Sequence, residues 1–294
     1  MNIFTYTRTC SIAALLAIAS PLVNADIAAH AEPVLSFAVL GDAEPKPLAE
    51  FPHLARSVDH VNALAAVQPM DFVVGVGDIA HKGTLVQYDN ATKELERLDL
   101  PFYPIMGNEE HGSSVARFLH YANLWNAGKV HIADARYVVE QEQVALVFAS
   151  PDHGRDFDNS GVDWIAEQIF RLHPKPVFLV VHGAQAGAFP ENAEKGITNT
   201  TFEKITRMDN LAAVISGDLH MDMDRVDHSK RIDDVHYLHI PALERTKIPD
   251  ESNHTAMFRV VSLYNNGEVV VDTFESGSGN SPLERHDYRF SLHR

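Results

Sequence analysis

The sequence is short of thiols and of positive charge, and both shortages narrow the possible functions. Cys10 is the one cysteine among 294 residues, so an intramolecular disulfide and a metal site built from several thiolates are excluded. Lysine and arginine number 24 against 40 aspartates and glutamates, giving a formal net charge of −16 at pH 7. Such an acidic surface repels nucleic-acid backbones, so we expect no nucleic-acid partner. A small phosphate ester remains compatible, because divalent cations supply positive charge locally.

The N-terminal apolar run is too short to cross a membrane. It occupies residues 11–23, whereas a spanning helix requires about 20 apolar residues. Arg8 precedes the run and small residues close it, a layout typical of an export signal. We therefore predict a signal peptide over residues 1–25, cleaved before Asp26 or Glu32. The mature protein is expected to be periplasmic or secreted and to have no contact with a membrane.

The rest of the chain, residues 26–294, predicts a single α/β domain. Apolar runs of strand length alternate with helical patterns, and no Ser/Gly linker interrupts them. The polar turn 141–143 and Asn265-Asn266-Gly267 each predict an antiparallel hairpin, so the sheets should be mixed. Residues beyond Glu275 are polar and predict a surface tail. The predicted strands are 34–40, 72–76, 102–106, 137–139, 144–148, 177–181, 211–215 and two runs within 258–274; the predicted helices are 54–65, 85–98 and 162–172.

Five apolar runs end in a turn that carries a metal-competent side chain. In open α/β sheets, the carboxyl ends of the strands line the ligand crevice, so these side chains should converge. Carboxylates, an amide and imidazoles without a thiolate favour hard or borderline divalent cations. Two such cations can activate a water molecule and stabilise the leaving oxygen of a phosphate ester. The five turns are Gly41-Asp42, Gly77-Asp78, Gly107-Asn108, His182-Gly183 and Gly217-Asp218-Leu219-His220.

The ordered set of motifs resembles the calcineurin-like metallophosphoesterases. Their signature runs Asp-x-His, Gly-Asp, Gly-Asn-His-Glu/Asp, an isolated His after a strand, and Gly-His-x-His. The resemblance covers about residues 34–274 and implies a sandwich of two mixed β-sheets flanked by helices, with two divalent metal ions at the strand ends. It also implies a ligand set in which Asp78 bridges: Asp42, Asp78 and His220 for one ion, and Asp78, Asn108 and His182 for the other.

Two ligand positions depart from the family pattern. Glu44 and Asp218 stand where histidines are usual. These residues are either neutral changes in a site that no longer binds metal or ligands in their own right, since carboxylates bind divalent metals well. We favour ligation because both replacements are residues with oxygen ligand atoms. The resulting set of Asp42, Glu44, Asp78, Asn108, His182, Asp218 and His220 is rich in oxygen. It predicts Mn²⁺, Mg²⁺, Ca²⁺ or Fe rather than zinc.

A third departure concerns the residue that handles the ester. Glu109 replaces the histidine that the family places against the phosphate. An ionised glutamate would repel the ester, so we predict that Glu109 acts as a protonated acid with a raised pKa. His111 and His81 are the alternative proton donors.

Substrate contacts are predicted at three positions. His153 and Arg155 follow the central hairpin and offer cationic groups for a phosphate, and Asn108 can contact it directly. The predicted activity is hydrolysis of phosphate monoesters or diesters at a dinuclear site. One alternative is a catalytically silent relative that keeps its metal and binds a phosphorylated ligand or partner. The other is a generic α/β protein that binds no metal and acts through its acidic surface. The sequence does not indicate an oligomeric state.

Overall fold

Residues 31–251 and 253–292 are described by a computed structural model. The chain divides into two units, residues 1–31 and 32–294. The predicted signal peptide and the cleavage site before Asp26 lie outside the described residues. The second unit contains strands β1 (Pro33–Leu40), β2 (Phe72–Gly75), β3 (Phe102–Pro104), β4 (Arg136–Glu140), β5 (Ala145–Ala149), β6 (Val177–Val181), β7 (Leu211–Ser216), β8 (Ser229–Ile232), β9 (Val235–His239), β10 (Met257–Tyr264), β11 (Glu268–Glu275) and β12 (Tyr288–Ser291). Its helices are α1 (Pro52–Ala65), α2 (Leu85–Leu95), α3 (Val115–Asn126), α4 (Asn159–Leu172) and α5 (Glu203–Thr206).

The strands form two six-stranded sheets, in the orders β12-β11-β10-β1-β2-β3 and β4-β5-β6-β7-β9-β8. Parallel pairs join β1 to β2 and β2 to β3 in the first sheet, and they join β5, β6, β7 and β9 in the second. The other pairs are antiparallel: β12–β11, β11–β10 and β10–β1 in the first sheet, and β4–β5 and β9–β8 in the second. This confirms the predicted sandwich of two mixed sheets.

Alternation along the strands explains why the sheets stack between helices. Phe37 of β1 and Phe178 of β6 point into the space between the sheets, where their ring centroids lie 6.5 Å apart. The residue after Phe37, Ala38, faces the opposite way and packs against helices α1 to α3. On the other side, Leu179 packs against α4. Successive strand residues therefore bury both faces of each sheet.

Three regions differ from the sequence-based expectation. Helix α3 was not predicted, although its Ser114 cap accepts a hydrogen bond from the Arg117 N–H. The β8–β9 hairpin was missed because its turn uses Asp233 in a left-handed conformation rather than glycine. The predicted polar tail beyond Glu275 is wrong, since β12 pairs with β11 and buries Phe290 against His236.

Within residues 31–251 and 253–292, the helices are all too short or too polar to cross a membrane.

Candidate metal centre

The predicted ligands follow the carboxyl ends of parallel strands in both sheets. Asp42, Asp78 and Asn108 come after β1, β2 and β3, while His182 and Asp218 come after β6 and β7. Hydrogen bonds join the residues that follow strands of the first sheet to those that follow strands of the second. Nδ1 of His182 lies 2.8 Å from the Val76 carbonyl, and the Asp218 N–H donates to Oδ2 of Asp42 at 3.0 Å. The site therefore lies where the strand ends of the two sheets meet.

The backbone is unusual at four of these positions. Asp42, Asp78, Asp218 and His220 have φ angles of 50°, 51°, 73° and 50°, in the left-handed region that residues other than glycine seldom adopt. Such strain clusters at functional sites, where the surrounding structure maintains it. Close packing contributes here, because a Cβ atom at Gly107 would collide with Oδ1 of Asp78.

Glu110 holds two of the ligand loops together. Its buried carboxylate accepts hydrogen bonds from the backbone N–H groups of Asp78, Ile79, Ala80 and Gly107 at 3.0, 2.7, 2.7 and 2.7 Å. The loops after β2 and β3 are thereby fixed to one side chain. The sequence reasoning missed this role, and the only signal for it was the acidic position that closes the Gly-Asn-x-Glu motif.

Asp42, Glu44 and His220 form the first group that could hold a metal ion, with ligand atoms within 4.8 Å of one another. Nδ1 of His220 donates to the Arg245 carbonyl at 2.7 Å. The lone pair of Nε2 is therefore available to a metal ion. Among the described residues, neither carboxylate oxygen of Glu44 nor Nε2 of His220 has a hydrogen-bond partner, although all three atoms are buried. Buried lone pairs that accept no hydrogen bond, such as these, fit a bound cation.

The electrostatics of the first group agree with that fit. Burial raises the pKa of Asp42 to about 8, and burial together with Asp78 and Asp42 raises the pKa of Glu44 to about 9. Burial and the charge of Lys247 lower the pKa of His220 to about 3, so its imidazole is neutral. Two crowded carboxylates beside a neutral imidazole are stabilised by a bound cation.

Asp42, Asp78 and His182 form a second group that could hold a metal ion, and their ligand atoms also lie within 4.8 Å of one another. Oxygens surround Nε2 of His182: Oδ1 of Asn108 at 3.2 Å, Oδ1 of Asp78 at 3.4 Å and Oδ1 of Asp218 at 3.5 Å. Burial lowers the pKa of His182, but the charges of Asp78 and Asp218 outweigh burial and raise it well above its ordinary value. Asn108 lies close enough to add an amide oxygen to this group.

Asp218 lies beside the second group but has a competing partner. Its Oδ1 accepts a hydrogen bond from Nε of Arg155 at 2.5 Å. Burial opposes ionisation of Asp218, but hydrogen bonds with His182 and Arg155 lower its pKa below the usual range. Arg155, predicted to contact the substrate, is thus bonded to a predicted ligand.

The structure contradicts the expectation that Glu109 is a protonated acid. Its Oε1 accepts from Nζ of Lys46 at 2.7 Å, and its Oε2 lies 2.7 Å from Nδ1 of His81 and 2.9 Å from the Lys82 N–H. Burial raises its pKa, but these donors prevail and lower it to about 2. Glu109 is therefore ionised at ordinary pH. Sequence reasoning took no account of Lys46, although it lies two residues after Glu44.

The remaining predicted residues lie outside the two groups. His111 is on the turn after Glu109, and burial lowers its pKa. His153 has an exposed side chain, 3.6 Å from Asp158. A third group joins Glu44, Asp78 and Glu109, but donors already occupy both oxygens of Glu109.

A two-sheet α/β sandwich whose strand ends bring together aspartates, a glutamate, an amide and histidines is the architecture of a metal-dependent phosphoesterase. The family model for calcineurin-like phosphoesterases matches residues 35–222. The chain belongs to this family, as its motifs predicted.

A curated relative matches part of the chain. It is described as a probable glycerophosphodiester phosphodiesterase GpdQ from Arcobacter nitrofigilis, and it is 27% identical over 134 residues. The match covers 44% of this chain and 46% of the relative, so the chain spans about half the length of the curated relative that it matches.

Two solved structures share the fold with a TM-score of 0.61. GAP50, the anchor in the inner membrane complex of Plasmodium, is 12% identical, and the match covers 90% of each chain. The purple acid phosphatase PPD1 from yellow lupin (Lupinus luteus) seeds is 11% identical, and the match covers 87% of this chain and 53% of that one. At this identity the similarity establishes the fold alone.

Proposed function

We propose that the chain is a metal-dependent hydrolase of phosphate esters that uses a dinuclear site and a metal-activated water. One observation carries the proposal: beside Asp42 at the strand ends, Glu44 and His220 place three buried ligand atoms that have no hydrogen-bond partner among the described residues. Within the family, such an arrangement serves phosphate-ester substrates. The curated relative supports testing phosphodiesters before monoesters.

Different residues of the site are proposed to bind the metal ions and to hold the loops. The chemistry that divalent cations supply when bound is polarisation of the ester and activation of water. The oxygen-rich donors favour Mn²⁺, Mg²⁺, Ca²⁺ or Fe over zinc. Backbone contacts of Glu110 hold the loops in place, which keeps the ligands preorganised. The ligand sets proposed for the two ions are Asp42, Glu44, Asp78 and His220 for one, and Asp78, Asn108, His182 and Asp218 for the other.

A silent, metal-binding relative is the second candidate, and one observation favours it. Glu109 is ionised and bonded to Lys46, so it has no proton to give to a leaving oxygen. On this alternative, the protein would bind a phosphorylated ligand without cleaving it. His81 and His111 are the alternative proton donors that the sequence suggested.

Hydrolysis by metal-stripped and refilled protein tests the proposal. A model phosphodiester and a monoester are each incubated with protein refilled with Mn²⁺, Mg²⁺ or Zn²⁺. Turnover should require metal and should disappear in Asp78→Asn. Asp209→Asn makes the same change at an exposed position and should keep full activity. Metal uptake without turnover at any pH would favour the silent relative, and no uptake would reject both candidates.

Export is a separate proposal that rests on the sequence of residues 1–25. We propose that this segment directs the protein to the periplasm or out of the cell. Mass spectrometry of protein recovered from that fraction should give an N-terminus at Asp26 or Glu32. An intact Met1 on the exported protein would contradict cleavage.

A further inference from the structure

Lys46 is a cation beside the metal-competent carboxylates. Its Nζ lies 2.7 Å from Oε1 of Glu109 and 3.5 Å from Oε1 of Glu44. Glu44 and Glu109 belong with Asp78 to a group whose ligand atoms lie within 4.8 Å of one another. The ammonium therefore borders the place where an ester bound to this site would lie. Its side chain is 22% exposed, so a ligand can reach it from solvent.

Glu109 holds this ammonium in a fixed position. The Glu109 N–H donates to Oδ1 of Asp78 at 2.8 Å, which ties Glu109 to a predicted ligand. Its Oε2 is engaged by His81 and by the Lys82 N–H, so the carboxylate plane is set. Only Oε1 is left for Lys46. Because an ammonium has three donors, Lys46 keeps at least one for a further acceptor.

The charges at this edge of the site indicate what that acceptor is. An ionised Glu109 alone would repel an anionic ester at the position where the family uses a histidine. Lys46 neutralises Glu109 and places a positive charge next to it. Ammonium groups bind phosphate oxygens through charge-assisted hydrogen bonds.

We propose that Lys46 binds a non-bridging phosphate oxygen of the substrate and that Glu109 positions Lys46 for this contact. The proposal rests on the proposed function for its substrate, a phosphate ester. It assigns Glu109 a positioning role in place of acid catalysis. It also makes the Lys46–Glu109 pair the substitute for the family histidine.

Phosphate binding by Mn²⁺-loaded protein tests the role of Lys46 independently of turnover. Inorganic phosphate is titrated into wild type, Lys46→Gln, Lys46→Arg and Lys93→Gln, and heat is measured by calorimetry. Lys46→Gln should weaken phosphate binding by about ten- to a hundredfold, the range of one charge-assisted hydrogen bond. Lys46→Arg should restore part of the affinity. Lys93→Gln removes the same charge from the exposed surface of α2 and should bind phosphate like wild type.

Metal content and melting temperature are measured on the same samples, so that a purely structural role is recognised. Unchanged phosphate affinity in a folded, metal-loaded Lys46→Gln protein would overturn the proposal, as would a wild type that binds no phosphate. Loss of phosphate binding in Lys46→Gln from a protein that hydrolyses no ester would uphold Lys46 and reject the proposed catalysis.

Discussion

Nε of Arg155 donates to Oδ1 of Asp218 across 2.5 Å, although 63 positions separate the two residues in the chain. The other carboxylates that depart from the family pattern also have cations nearby, since Lys46 lies 2.7 Å from Glu109 and 3.5 Å from Glu44. Each of the three carboxylates thus has a cation nearby, with Lys46 shared between Glu44 and Glu109. Random loss of a metal site would not be expected to place a cation beside every new carboxylate. The pairing therefore supports a site that is still functional.

Arg155 should compete with metal for Asp218, because it occupies the oxygen that also faces Nε2 of His182. We expect Arg155→Gln to bind Mn²⁺ more tightly than wild type at one site, by roughly three- to tenfold for a partly exposed ion pair. Calorimetric titration of metal-stripped protein measures this change. Arg207→Gln, which removes an exposed guanidinium, is the control. Superimposable wild-type and Arg155→Gln isotherms would exclude competition.

Glu44→Gln should have opposite effects on two properties: it should raise the stability of the metal-free protein and weaken the binding of metal. The folded-state pKa of Glu44 is about 9 against an ordinary value of 4.5. Between these two pH values the folded protein keeps Glu44 protonated while the unfolded chain ionises it, so stability falls as the pH rises. A glutamine does not titrate, so at pH 7 and in the presence of a chelator the variant should be more stable than wild type, by about 1–2 kcal/mol.

Denaturant unfolding with and without Mn²⁺ provides the measurement for Glu44→Gln. Added Mn²⁺ should stabilise wild type strongly and the variant weakly, because the variant has lost a ligand. Equal stabilisation of both proteins would show that Glu44 does not ligate.

Glu109→Gln should lower activity without moving the acid limb of the pH-rate profile. The pKa of Glu109 is about 2, so this group stays ionised across roughly pH 4 to 9, and its replacement removes no titration there. The profile of kcat/KM from pH 4 upward, measured on the metal-loaded proteins, is the relevant experiment. A shifted acid limb in the variant would restore Glu109 as a proton donor.

Glu110→Gln should destabilise the protein, because an amide cannot accept from four backbone donors as a carboxylate does. Leaving one or two of these buried N–H groups unsatisfied should cost about 2–4 kcal/mol in the free energy of unfolding. Urea denaturation of metal-free protein tests this. Glu140→Gln, at an exposed ion pair with Lys175, should change stability by less than about 1 kcal/mol. Similar losses in the two variants would mean that the Glu110 contacts add nothing specific.

The framework of the site was predictable because it depends on local patterns. Apolar runs predict buried strands such as Val177–Val181 directly. Because the carboxyl ends of parallel strands meet at one edge, the sequence also predicted that Asp42, Asp78, His182 and His220 lie close together. Short polar elements were missed, since β12 offers only Tyr288 and Phe290 as apolar residues.

Side-chain pairing was the part that the sequence could not supply. The contact of Arg155 with Asp218 depends on two loops meeting across the second sheet. The acidity of Glu109 depends on Lys46, which is 63 residues away. Such pairs decide the charge of the site, and they arise only once the fold is complete.

The backbone contacts of Glu110 bear on how this site can change over evolutionary time. Its four hydrogen bonds go to main-chain N–H groups, which every residue except proline carries, so these contacts do not depend on the side chains of the residues that donate them. Glu109 lies in one of these loops, at the position where the family has a histidine. An exchange of histidine for carboxylate at this position therefore leaves the backbone contacts of Glu110 in place, and the group that faces the ester can change without a change in the shape of the loop.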